Sequence, residues 1–220
     1  MRQSMLVTGE SSLYSTLGGY WSEVAAMAKS IDLEAIEAAA LILLECQRRD
    51  GIVYAVGNGG SAATASHFAC DLAKGTRGGG APTFRVVALT DNMPVLTAWA
   101  NDISYENVFA EQLASLARPG DVLVAISVSG TSPNMITAAE EARTRGVATV
   151  GLTGRTGGTL AQIVDLAVRV PSDSMEVVED AHLIIAHSLC VATRKHLAND
   201  KGIDCSGRAT KSPSLAAVAG

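Results

Sequence analysis

An imidazole and a carboxylate lie four residues apart in this chain, at His67 and Asp71. In a helix this spacing places both side chains on one face, where they can form half of a metal site or an acid/base pair. The simpler interpretation is a surface hydrogen bond. The position of the pair favours a metal-binding or acid/base role, because the pair follows a glycine-rich turn by about two to three helical turns. A second imidazole, His187, follows an apolar run late in the chain.

The glycine-rich turn is GNGGS, residues 57–61, between the apolar run IVYAV and an alanine-rich stretch with helical spacing. These patterns predict a buried strand, a turn and a helix. Glycines let a ligand approach the backbone, and the first N–H groups of a helix attract anions. We expect Ser61 to act as N-cap and phosphate donor. The turn matches neither the GxGxxG dinucleotide fingerprint nor the GxxxxGK[ST] P-loop. It therefore indicates a binding site for one phosphate group on a small molecule. The alternative is an ordinary tight turn that binds no ligand.

A second strand–loop–helix unit carries a hydroxyl-rich turn. DVLVAI, residues 121–126, leads into SVSGTS, residues 127–132. Ser132 and Pro133 suit the N-cap and the first helical position. The hydroxyls could bind a phosphate, or they could only cap the helix. Because ligands of open α/β sheets collect at the carboxyl ends of strands, two such loops predict one shared site.

Alternating strand and helix patterns predict an α/β fold, a three-layer sandwich of flavodoxin or Rossmann-like type, with a five-stranded parallel sheet flanked by helices. We expect an N-terminal arm at 1–19, one domain at 20–198 and a polar C-terminal tail at 199–220. The predicted strands are 52–56, 85–89, 121–126, 148–153 and 166–170. The predicted helices include 20–30, 32–49, 105–117, 133–145 and 175–198.

Composition narrows the class of protein. The 220 residues are 48% hydrophobic but only 4% aromatic, which suits a core of small aliphatic side chains. Residues 38–44 are apolar all round, so that helix is buried on more than one side, in an oligomer or within one chain. The net charge of −5 without a basic cluster disfavours nucleic acid as a partner.

No membrane or secretion pattern is visible. The longest apolar run is too short to span a bilayer, and the N-terminus lacks a signal-peptide pattern. The four cysteines, Cys46, Cys70, Cys190 and Cys205, are widely separated and form no CxxC pair. We interpret them as reduced thiols and expect a cytoplasmic protein.

Taken together, the motifs resemble the sugar-isomerase (SIS) family, and most of all its phosphoheptose isomerases, which interconvert sedoheptulose 7-phosphate and a heptose 7-phosphate. The likeness spans about residues 20–198. It rests on motifs in matching order: GNGGS, HFA, TD…AND…F, SVSGTS and VEDAHLIIAH.

The resemblance implies a set of site residues. Substrate contacts would fall on Asn58, Gly59, Gly60, Ser61, Asp102, Ser127, Ser129 and Ser132. The active-site group would fall on His67, Asp71, Glu179 and His187, which in some members hold zinc. A homotetramer with sites near subunit boundaries is also implied.

Four positions depart from the family pattern. Asp71 replaces the usual Glu, Glu179 the usual Gln, and Val128 a hydroxyl residue, while Gly75 stands where a basic residue is expected. These departures bear on the substrate more than on the fold.

The implied reaction is an aldose–ketose isomerisation through an enediol, with Asp71 as base, His187 as its acid/base partner and Zn²⁺ as a Lewis acid. Glu179 and His187 lie eight residues apart, about 12 Å of helical rise, so Asp180 is a substitute ligand.

The alternative function is a non-catalytic SIS protein that binds a sugar phosphate or the replication initiator. That branch lacks the late histidine, so His187 favours the enzyme.

Overall fold

The computed structural model describes residues 12–77 and 83–200. Five strands form one parallel sheet in the order β2-β1-β3-β4-β5. The strands are β1 (Ile52–Gly57), β2 (Arg85–Ala88), β3 (Val122–Ser127), β4 (Ala148–Thr153) and β5 (Leu166–Arg169). The predicted fold class is confirmed, and each predicted strand lies within one or two residues of its expected bounds.

Eight α-helices connect and flank these strands within the described residues. They are α1 (Leu13–Ser30), α2 (Leu33–Arg48), α3 (Gly60–Gly75), α4 (Met93–Asp102), α5 (Ala110–Leu116), α6 (Pro133–Thr144), α7 (Leu160–Ile163) and α8 (Met175–Asp200). None of the described helices combines the length and apolar character that crossing a membrane requires.

Side-chain alternation along the strands builds two cores. On β1, Val53 and Ala55 face α2, α3 and α8, whereas Tyr54 and Val56 face α5 and α6. All four side chains are buried, because helices cover both faces of the sheet. The result is the three-layer sandwich that the strand pattern predicted.

Several helix ends differ from the predictions. The first helix begins at Leu13 rather than Tyr20, because the Ser12 hydroxyl accepts a hydrogen bond from the Ser15 N–H group at 3.2 Å. The predicted helix 105–117 is a 3₁₀ turn, Tyr105–Asn107, followed by α5, since Val108 and Phe109 turn into the core between them. The last helix reaches Asp200, beyond the expected boundary at 198.

The predicted arm lies outside the described residues before residue 12, and the predicted polar tail lies outside them after residue 200. The two predicted boundaries, 19/20 and 198/199, fall within α1 and α8. The glycine-rich segment 75–82 is likewise described only to Arg77, and its first residue, Gly75, ends α3.

The sheet reverses its winding direction between β1 and β3. These two strands are neighbours and pair in parallel from Val53 with Val122 to Gly57 with Ile126. Their carboxyl ends therefore lie side by side, and so do the GNGGS and SVSGTS loops that follow them. A crevice at such a switch point is where open α/β sheets bind ligands.

The turn after β1 requires glycine at position 57. A Cβ atom on Gly57 would lie 2.4 Å from the Ser61 carbonyl oxygen and 2.9 Å from the Ala62 nitrogen. Both are backbone atoms of α3 and cannot rotate away. Glycine at 57 therefore allows the end of the strand to pack against the start of the helix.

We predict that Gly57→Ala lowers the free energy of unfolding by about 1–3 kcal/mol, the usual cost of overpacking a filled site. Urea unfolding of the variant and the parent protein measures the difference. Gly75→Ala is the matched control, because its added methyl group meets no atom of the described residues within 4 Å. Equal stability of the two variants would contradict the role given to Gly57.

Histidine 182 on α8 generates a second prediction. Its side chain is 1% exposed, and neither ring nitrogen has a hydrogen-bond partner among the described residues. Burial lowers the pKa of His182 from 6.5 to about 4, against a smaller opposite effect of the Thr153 backbone. The unfolded chain therefore binds a proton at a higher pH than the folded chain does.

Because of this difference, His182 should reduce stability as the pH falls from about 6.5 to about 4, by about 3 kcal/mol in total. Urea unfolding at pH 7 and pH 4 should show a smaller acid-induced loss in His182→Leu than in the parent protein. His196→Gln, a change at an exposed histidine of the same helix, should leave the loss unaltered. An unchanged pH dependence in His182→Leu would refute the prediction.

Candidate active site

Two helices bring the predicted imidazoles together. Helices α3 and α8 pack against each other, and the Nε2 atoms of His67 and His187 lie 3.3 Å apart. One carboxylate oxygen of Asp71 is 3.4 Å from the His67 nitrogen and 3.5 Å from the His187 nitrogen. The two rings meet edge to face, with centroids 4.9 Å apart and an interplanar angle of 74°. We call His67, Asp71 and His187 the imidazole cluster.

The imidazole cluster has the chemistry and the dimensions of a metal site. Its three ligand atoms all lie within 4.8 Å of one another. A tetrahedral ion with bonds of about 2.1 Å separates its ligands by about 3.4 Å, close to the three distances observed here. Each imidazole keeps 47% of its side-chain surface exposed and Asp71 keeps 38%, so a small ligand can reach the cluster. The donors therefore fit a divalent ion such as zinc.

Glu179 is not part of this cluster. It lies eight residues before His187 on α8, about 12 Å of rise, and the structure places it near the start of α3. The substitute ligand Asp180 is engaged elsewhere, because it accepts a hydrogen bond from the Tyr20 hydroxyl. That bond and the negative charge of Asp180 raise the pKa of Tyr20 to about 12.

A polar cleft lies where the two loops meet. It has a volume of about 160 Å³ and contains most of the predicted substrate residues. Its lining includes Asn58, Ser61, Ser127, Ser129, Ser132 and Glu179. We call this space the serine cleft. Both loops therefore line one cleft, and their binding of a substrate there stays a prediction.

Hydrogen bonds within the loops shape the serine cleft. The Ser127 hydroxyl accepts from the Gly130 N–H at 3.2 Å, and the Ser129 hydroxyl accepts from the Thr131 N–H at 3.2 Å. Ser132 occupies the predicted N-cap position of α6, but its side chain caps no N–H group. Its hydroxyl is therefore available to a ligand.

The start of α3 differs from its prediction. Gly59, with φ of 53°, is the N-cap, and Gly60 is the first helical residue. Ser61 lies inside the first turn, where its side chain is 6% exposed, so the predicted N-cap role of Ser61 is wrong. The positive φ explains the correction, because a glycine adopts it without strain.

Asn58 is held by residues that the sequence patterns did not reveal. Its amide exchanges two hydrogen bonds with the amide of Asn134, at 2.9 and 2.8 Å, and accepts a third from the Tyr105 hydroxyl at 3.0 Å. Asn134 is 2% exposed in the first turn of α6. A polar residue directly after the helix-initiating Pro133 was the available signal.

Asp102 is the predicted substrate residue that lies apart. It is exposed at the end of α4, where it accepts a hydrogen bond from Asn101 at 2.9 Å. It does not line the serine cleft within the described part of the chain.

The serine cleft and the imidazole cluster occupy two levels of one helix pair. Glu179 contacts Gly60 at the first level, and His187 contacts His67 at the second. From the first level to the second, the chain advances seven residues on α3 and eight residues on α8. Because both helices advance in the same direction, they run parallel. The two levels are thus separated by about 10–12 Å.

Comparison with known proteins gives a consistent answer. The SIS domain family matches residues 19–154. The phosphoheptose isomerase of Sulfurimonas denitrificans is 39% identical over 75% of this chain and 84% of its own length. That of Rhodospirillum rubrum is 43% identical over 71% of this chain and 82% of its own.

Solved structures agree with these relatives. Phosphoheptose isomerase GmhA from Neisseria gonorrhoeae superimposes with a TM-score of 0.77 at 34% identity, over 83% of this chain and 98% of that one. A phosphoheptose isomerase from Francisella tularensis gives a TM-score of 0.77 at 31% identity, over 84% and 100%. With its imidazole cluster and serine cleft on the same scaffold, the chain belongs to the SIS domain family and, within it, to the phosphoheptose isomerases.

Proposed function

We propose that this protein is an aldose–ketose isomerase that converts sedoheptulose 7-phosphate into a heptose 7-phosphate. The observation that carries the proposal is the two-level arrangement of α3 and α8. One level offers hydroxyls and helix N–H groups suited to a phosphoryl group. The other offers two imidazoles and a carboxylate suited to proton transfer.

The separation of the two levels matches the length of such a substrate. An open seven-carbon chain with its phosphate extends about 10 Å, given carbon–carbon bonds near 1.5 Å. With the phosphoryl group in the serine cleft, the far end of the sugar reaches the imidazole cluster. Contacts from Asn58, Gly59, Gly60 and the serines of both loops hold the phosphate end in this proposal.

The reaction moves one proton between C1 and C2 of the open sugar. We assign Asp71 as the base that takes the C1 proton, which leaves an enediol, and that returns a proton to C2. His187 moves the proton between the two sugar oxygens, so that the carbonyl and the hydroxyl exchange places. The interactions of Ser127 and Ser129 with their loops keep the phosphate end still during these transfers.

Zinc is the proposed cofactor. His67, Asp71 and His187 would hold it through the three atoms that face one another, and their spacing supports this assignment. With the ion bound, proton transfer would use the second carboxylate oxygen of Asp71 and the second ring nitrogen of His187. A bound ion supplies Lewis-acid stabilisation of negative charge on the sugar oxygens. Glu179 was the fourth predicted ligand, and its contact with Gly60 favours a role in the serine cleft instead.

We also propose that the protein is a cytoplasmic homo-oligomer, with a tetramer as the expected form. Support comes from large apolar side chains that α1 leaves exposed: Leu13, Tyr14, Leu17 and Trp21 are 61–87% exposed. The first, third and fourth of these recur every four residues and so share one helix face. A second copy of the chain would bury that face. Asp102 would reach a substrate only if such an assembly brought it to a cleft.

Incubation with sedoheptulose 7-phosphate tests the reaction. We predict that the purified protein forms an aldoheptose 7-phosphate, detected by chromatography. Dialysis against a chelator should reduce the rate by at least tenfold, and added Zn²⁺ should restore it. Full activity after verified metal removal would refute the cofactor, and absence of product with zinc present would refute the reaction.

Substitutions in the imidazole cluster test the assigned groups. His67→Ala and His187→Ala should each lower kcat/KM by about 10²–10⁴-fold, because a proton-transfer group or a metal ligand is lost. Circular dichroism should show an unchanged fold, since both side chains are half exposed. His196→Ala is the control and should keep parental kcat/KM, because His196 lies nine residues after His187 on α8 and so on the opposite side of that helix. Parental turnover in either cluster variant would contradict the assignment.

A further inference from the structure

Glu179 carries a negative charge into the serine cleft. Its carboxylate lies against the start of α3, where a Cβ atom on Gly60 would be 2.8 Å from Oε1 and 3.2 Å from Oε2. Among the described residues that line this cleft, it is the one with an ionisable side chain. The remaining lining groups are hydroxyls, an amide and apolar side chains.

The carboxylate occupies the end of the helix that an anionic ligand would use. The first N–H groups of α3 point away from the helix, and the helix dipole favours negative charge there. A phosphoryl dianion and the Glu179 carboxylate repel each other when both approach this end. No lysine or arginine is part of the described lining to offset that repulsion.

The Glu179 carboxylate also determines which hydrogen-bonding groups a ligand needs. An ionised carboxylate accepts hydrogen bonds and donates none. A sugar offers hydroxyl donors next to its phosphate, so it can satisfy Glu179 while its phosphoryl group binds the serine loops. Inorganic phosphate near neutral pH has one or two P–OH donors, and these lie on the charged group itself, so any hydrogen bond to Glu179 brings the two negative charges together. A sugar ester can use hydroxyls that are farther from its phosphoryl charge.

We propose that Glu179 is a specificity-determining residue that competes with a phosphoryl group for the start of α3 and so admits hydroxyl-bearing phosphate esters while rejecting free phosphate. The inference rests on the proposed binding of a sugar phosphate in this cleft. A Gln at this position would keep the shape of the side chain and remove its charge. Glu179 thus adds an electrostatic filter to a site that otherwise recognises phosphate by neutral donors.

Titration calorimetry with inorganic phosphate tests the filter without any turnover. Glu179→Gln should bind phosphate about tenfold more tightly than the parent protein, because one like charge is removed at contact distance. The gain should shrink in 1 M salt, where the screening length is about 3 Å. A purely steric role of Glu179 would not produce this salt dependence.

Glu176→Gln is the matched control. It removes the same charge from the same helix one turn earlier, at an exposed side chain outside the cleft lining. Its phosphate affinity should stay within about twofold of the parent value, whereas Glu179→Gln should reduce the preference for sedoheptulose 7-phosphate over inorganic phosphate.

Two results would overturn the inference. One is phosphate binding by Glu179→Gln that is equal to, weaker than or as undetectable as that of the parent protein. The other is an equal gain in Glu176→Gln, which would indicate a general charge effect. Tighter phosphate binding by Glu179→Gln in a protein that isomerises no heptose phosphate would refute the assigned reaction and leave the inference intact.

Discussion

The parallel packing of α3 against α8 is the contact on which the site depends. The helices come from distant parts of the chain, and both cover the same face of the sheet. Because they run in the same direction, equal steps along them bring matching positions together. Gly60 meets Glu179 at one level, and His67 meets His187 about two turns later. A shift of one helix by a single turn would move both contacts by about 5.4 Å and separate the groups.

The sheet determines where this helix pair begins. Gly57 ends β1 beside Ile126 of β3, so the two loops start next to each other. Close backbone contacts then hold the second loop against its other neighbour, since a Cβ atom on Gly130 would lie 2.0 Å from the Gly157 carbonyl oxygen. The Gly130 carbonyl also accepts a hydrogen bond from the Leu160 N–H at 2.8 Å. Backbone contacts therefore position this side of the serine cleft, and its hydroxyls and one carboxylate are the groups that a ligand meets.

Charge is distributed unevenly between the two levels. The imidazole cluster combines one carboxylate with two bases that can share protons or hold a cation. The serine cleft combines neutral donors with the carboxylate of Glu179, so a phosphoryl group gains hydrogen bonds there at an electrostatic cost. Binding therefore depends on the whole ligand, because the phosphoryl group alone does not supply enough favourable binding free energy. The sugar hydroxyls and the reactive end of the ligand must supply the rest.

The amino-acid sequence by itself determined the elements and the candidate chemistry. Apolar runs of five or six residues followed by glycine or serine predicted the strands and both loops, because local periodicity depends on nearby residues alone. The spacing of His67 and Asp71 predicted their shared face for the same reason. Local patterns were weakest at helix ends, where Gly59 rather than Ser61 proved to be the N-cap.

Only the tertiary structure decided which distant residues meet. Eight-residue spacing on α8 allowed Glu179 either to lean toward His187 or to remain apart, and the packing of α8 along α3 placed it against Gly60 instead. The pairing of Asn58 with Asn134 across 76 positions was equally invisible, since it follows from the alignment of β1 with β3 and from no local pattern. Long-range contacts of this kind depend on how layers pack, and packing is a property of the whole chain.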